Sequence, residues 1–68
     1  MQTPFIEWKQ LPRGTYTANV GTCELDVFKI GDKGFRYNVL DIITGHYLAS
    51  GTEATLDAAC EAAIKETP

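Results

Sequence analysis

The chain changes its hydrophobic period once. Up to Ser50 apolar and polar residues alternate in short runs, and beyond Gly51 the apolar positions recur at helical spacing. Thr15-Tyr-Thr-Ala-Asn-Val20 sets Tyr16, Ala18 and Val20 against Thr15, Thr17 and Asn19. Period two in β-branched and aromatic residues is a strand signal. Cys23–Ile30 alternates Cys23, Leu25 and Val27 with Glu24, Asp26 and Phe28. Phe35–Val39 alternates again and runs on into Leu40-Asp-Ile42, and His46–Ser50 reads as a short fourth strand. Gly21-Thr22, Gly31-Asp-Lys-Gly34 and Thr44-Gly45 are the turns between them, with Gly34 expected to supply a positive φ. Pro4, Pro12 and the turn Pro12-Arg13-Gly14 leave residues 1–14 irregular.

After the sheet, Leu56, Ala59, Cys60, Ala63 and Ile64 fall on one stripe of an α-helix. Thr55 is the expected N-cap, Asp57 suits the first turn and Lys65 the last. Ala54, Ala58 and Ala62 keep the helix flank slim enough to lie close to a sheet. The pattern predicts an α+β fold: a three- to four-stranded antiparallel β-meander with one C-terminal α-helix packed on one face. Residues 1–68 form one domain, with a meander over 15–50 and the helix over 55–66.

Composition adds limits to this picture. At 44% hydrophobic and 22% charged, the 68 residues suit a small globular domain with a thin core, not a disordered tail. A net charge of −3 argues against non-specific nucleic-acid binding and against docking on anionic membranes. No apolar run is long enough for a membrane span, and the start lacks a basic region followed by an apolar stretch. Cys23 and Cys60 fit no Cys-x-x-Cys motif; buried free thiols are favoured over a disulfide, and a reducing cytoplasm is the expected compartment.

The charge is also uneven. Residues 1–36 hold Lys9, Arg13, Lys29, Lys33 and Arg36 against Glu7, Glu24, Asp26 and Asp32. Residues 37–68 hold Asp41, Glu53, Asp57, Glu61 and Glu66 against Lys65 alone. Glu53, Asp57 and Glu61 therefore form an acidic helix face, read as a solubilising surface or as one that repels nucleic acid or imitates it toward a basic partner.

Candidate chemistry is sparse. The single His46 and a serine, Ser50, share one predicted strand roughly 13 Å apart at ~3.3 Å per residue, too far for a nucleophile–base pair. Glu24 and Asp26 share a strand face, which reads as a solvated surface. Gly31-x-x-Gly34 joins strand to strand and offers no helix N-terminus to an anion. No catalytic residue, metal ligand, cofactor or small-molecule substrate is expected.

What remains is an apolar surplus. One helix covers one sheet face, yet alternation points Phe28, Ile30, Leu40 and Ile42 to the other, rimmed by Arg36, Glu24 and Asp26. Two readings stand. Residues 1–12, with Phe5, Ile6, Trp8 and Leu11, fold back over these side chains, or the side chains, with Trp8, form a surface for a protein partner or a second copy.

The passage Gly45-His-Tyr-Leu-Ala-Ser-Gly51 through Thr55-Leu-Asp-Ala-Ala-Cys-Glu-Ala-Ala63 resembles the plant ethylene-response-factor type of DNA-binding domain and the arm-binding domains of phage integrases. That resemblance implies a sheet face entering the DNA major groove, with Lys29, Lys33 and Arg36 as its cations. The matching face here also carries Glu24 and Asp26, which argue against it. In size, charge and compactness the chain looks like the small acidic proteins of phages and prophages, anti-CRISPR inhibitors among them. This implies a non-enzymatic protein that binds another protein, as an inhibitor or accessory factor.

Overall fold

The computed structural model describes residues 6–68. Its elements are β1 (Lys9–Gln10), β2 (Tyr16–Val20), β3 (Cys23–Lys29), β4 (Phe35–Asp41), β5 (His46–Glu53) and α1 (Leu56–Lys65). The five strands form one antiparallel sheet in the order β1-β2-β3-β4-β5, and α1 packs back over β3, β4 and β5. The α+β architecture is the expected one, with one strand more than expected. Lys9–Gln10, placed by sequence in an irregular segment, pairs with the free edge of β2. Two residues are too few for alternation to show.

The core lies between sheet and helix. Ala18, Cys23, Leu25, Val27 and Val39 are buried on the sheet side, and Ala59 and Ala63 on the helix side. The two alanines carry no bulk beyond Cβ, so the helix approaches the sheet closely. Helix ends follow from local chemistry. The Thr55 side chain accepts a hydrogen bond from the Ala58 amide at 3.1 Å, and Asp57 and Lys65 complement the helix dipole. At the other end the Thr67 hydroxyl donates to the Ala63 carbonyl at 2.9 Å.

Two glycines are required by close approach. Gly34, at φ +141°, is buried where the β3–β4 hairpin meets the end of β5, and a Cβ there would overlap the Glu53 carbonyl oxygen. Gly51 pairs with Tyr37, whose ring lies where a Gly51 side chain would stand. The last strand is therefore longer than expected: it continues through Ser50 and Gly51 to Glu53, because the Tyr37 ring fills the gap that Gly51 leaves.

Cys23 is buried and Cys60 half-buried, and both are free thiols. Burial, with a smaller effect from Asp57, pushes the Cys60 thiol above its ordinary pKa and so away from the reactive thiolate. No helix among the described residues is long and apolar enough to cross a membrane.

Candidate functional site

Among the described residues, the face of the sheet turned away from α1 has no helix over it, and none of its residues is buried. Strand register arranges its side chains in three rows. Phe28, Arg36 and Thr52 form one end row; Lys9, Thr17, Asp26, Asn38 and Ser50 form the middle; Asn19, Glu24, Leu40 and Tyr47 form the other end. The middle row is wholly polar.

This arrangement divides the expected patch. Phe28 opposes Arg36 while Leu40 opposes Glu24, so Phe28 and Leu40 lie two rows apart, roughly 13 Å along the strands. The expected single cluster of Phe28, Ile30, Leu40 and Ile42 is therefore two separate groups. Ile30 lies beyond β3, in the hairpin loop, where its amide donates to the Gly34 carbonyl at 2.9 Å. Ile42 lies beyond β4, its amide donating to the Thr22 carbonyl at 3.0 Å. Trp8 belongs to neither group. It packs against the core formed by Cys23, Leu25, Val39 and Ala63, on the helix side. Residues 6–12 accordingly run along the sheet edge and core instead of over the outer face; Phe5 lies outside the described residues.

At the Phe28 end, the cleft between the β1–β2 loop and the adjoining ends of β3 and β4 has a volume of about 520 Å³ and is lined in part by Arg13, Tyr16, Phe28, Lys29 and Phe35. Lys33 and Arg36 belong to the β3–β4 hairpin whose strand ends line it, with Asp32 as the hairpin loop's acid. The molecule is thus basic at this end of the sheet.

The opposite end is apolar. The β4–β5 hairpin exposes Ile43 at 74%, Tyr47 at 65%, Ile42 at 53% and Leu48 at 45%, beside the half-buried Leu40. Its turn is firmly built. The Asp41 side chain accepts from the Ile43 amide at 2.9 Å, the Gly45 amide donates to the Asp41 carbonyl at 2.8 Å, and Gly45 has φ +78°. The pairing of β4 with β5 slips by one residue, so Leu48 has no partner and stands with Tyr47 against Leu40. The bulge keeps two large side chains together at this end of the outer face. Ile43, Tyr47 and Leu48 were absent from the sequence-derived set, although a hairpin turn occupied by two isoleucines was a visible signal. Turn positions favour small polar residues.

Two carboxylates border this end, Glu24 in the row of Leu40 and Asp26 in the middle row. Repulsion from Asp26, with desolvation and a hydrogen bond to Asp26, raises the Glu24 pKa above its ordinary value. A raised carboxylate pKa means the folded state holds the proton more tightly, so this stability is present in acid and lost as pH rises through that pKa. Glu24→Gln is expected to raise the urea midpoint at neutral pH, with the gain vanishing below about pH 4. An equal gain at both pH values would show the charge to be irrelevant.

The acidic residues Glu53, Asp57 and Glu61 are all exposed, Glu53 at the end of β5 and the other two one turn apart on α1. His46 and Ser50 share β5, and among the described residues no three His, Cys, Asp or Glu side chains gather in a group that could hold a metal ion. Comparison of the chain with family models, curated proteins and solved structures finds no match.

Proposed function

We propose that the protein is a small non-enzymatic interaction module of the phage-inhibitor or accessory-factor kind, acting in the cytoplasm. It binds a protein partner through the apolar end of its uncovered sheet face. The observation that carries this reading is the exposure of Ile42, Ile43, Tyr47 and Leu48 on one rigid hairpin beside Leu40. Contiguous large apolar side chains held in water are costly unless a partner covers them. The polar middle row and the Glu24–Asp26 pair give the surface a charged border, which discriminates among partners more than it adds affinity.

Pull-down from the source cells tests this. Tyr47→Asp and Ile43→Asp, both at exposed positions, are expected to release a partner retained by the wild type and by Phe28→Asp, at least tenfold in retained amount. Equal retention by all four proteins, or release by Phe28→Asp alone, would contradict the assignment.

The basic end favours a second reading, a sheet-face DNA binder using Lys29, Lys33 and Arg36 with Arg13. Four phosphate contacts imply a log K against log salt slope of about −3.6. Absence of a duplex complex at low salt removes it.

A further inference from the structure

The two edges of the sheet are finished differently. At one, β2 is covered by the two-residue β1, which carries Lys9 and is followed closely by Pro12. Short strands, lysine and proline are guards against edge-to-edge pairing, as are bulges. At the other edge β5 runs for eight residues with one bulge at Tyr47–Leu48 and no lysine, arginine or proline, and its outer hydrogen-bonding groups face no other strand of the described residues.

We propose that β5 pairs antiparallel with β5 of a second copy, joining two five-stranded sheets into one continuous sheet about a twofold axis at Ser50. The bulge lets the whole strand pair end to end. In a continuous sheet, opposed residues must point to the same face. Eight regular residues paired end to end would oppose Ala49, on the helix side, to Ser50, on the outer side. Such a pairing is forbidden. The bulge merges Tyr47 and Leu48 into one ladder position, leaving seven, an odd number with Ser50 at the centre.

Every opposed pair then agrees in face. Ser50 meets Ser50 of the second copy on the outer side, and Ala49 meets Gly51 on the helix side. Tyr47 and Leu48 together meet Thr52 on the outer side, and His46 meets Glu53 on the helix side. The strand's one basic residue type thus faces its one acid at both ends of the interface, each within reach of a hydrogen bond from imidazole to carboxylate. Seven antiparallel positions supply about six to eight inter-chain backbone hydrogen bonds.

The helices leave room for this. α1 spreads over β3, β4 and β5, so it is centred near β4. At a ~4.8 Å strand spacing its axis lies roughly 7 Å from the twofold, and two such helices stand roughly 14 Å apart, beyond packing distance. The pairing also sets the apolar hairpin ends of the two copies on one doubled outer face. It shares Tyr47 and Leu48 with the proposed partner site, whereas Ser50 lies at the dimer axis alone and Ile43 on the hairpin turn outside β5, so Ser50 and Ile43 variants separate the two.

Sedimentation equilibrium of the wild-type chain is expected to give twice the 7.5 kDa monomer mass. Ser50→Lys sets two ammonium groups against each other at the axis, at a position already exposed, and is expected to weaken the dimer at least about tenfold while leaving the circular dichroism spectrum unchanged. Ser50→Asp is expected to weaken it likewise, and an equimolar mixture of the two variants to recover the dimer. A wild-type monomer, a mass that keeps climbing with concentration, or a mixture no more dimeric than its components would each overturn the proposal. The Ile43→Asp pull-down, at a turn residue outside β5, separately decides the face.

Discussion

Gly34→Ala is expected to remove a fifth or more of the folding free energy. Two costs add at this position. At φ +141° an L side chain is strained by about 1–3 kcal/mol. The added Cβ also meets the Glu53 carbonyl, a backbone atom that cannot rotate away, and overpacking of this kind costs about 1–3 kcal/mol more. A domain of 68 residues holds only about 3–10 kcal/mol in total. The urea midpoint of Gly34→Ala is therefore expected to fall sharply, with native hairpin pairing surviving only in the absence of denaturant. Gly45→Ala makes the comparison: Gly45 has φ +78° but nothing within 4 Å of its missing Cβ, so it carries the strain without the overlap. Equal losses in the two variants would show that the contact with β5 does not matter.

Leu25→Ala is the second large effect. Leu25 is fully buried, on the central strand, within the cluster of Cys23, Val39 and Ala63. Truncation removes apolar contact and leaves a cavity, at about 3 kcal/mol. For a domain of this size that corresponds to a Tm lowered by roughly 12–24 °C. Ile43→Ala, an equally large truncation at a residue 74% exposed, is expected to change stability by less than about 0.5 kcal/mol. Together the two separate the apolar residues that hold the fold from those available to a partner. A large loss from Ile43→Ala would place the hairpin within the core and remove the argument for a binding surface.

The fold was largely legible because its determinants are local. The alternation of Tyr16–Val20, Cys23–Lys29 and Phe35–Asp41, the Thr55 cap and the Ala59–Ala63 stripe each act within a few residues. The candidate surface was less legible because it depends on register. Phe28 and Leu40 share a face by parity, but proximity requires the pairing offset, and the hairpin sets Phe28 against Arg36 and Leu40 against Glu24. Trp8 was placed on the outer face through its apolar character alone; the pairing of Lys9 with Thr17 carries it to the core side. The bulge at Leu48 left no mark in the pattern, since Tyr47 and Leu48 are both apolar and a strand of eight tolerates one slip. That slip places Tyr47 and Leu48 together, and both belong to the proposed site.

Amide hydrogen exchange on the protein with its captured partner, against the protein alone, tests the central claim most directly. The account predicts slowed exchange confined to residues 40–48, the end of β4 and the hairpin into β5, with the outer side of α1 at Asp57 and Glu61 unchanged. Protection centred on α1, or on the loops bearing Arg13 and Lys33, would contradict it.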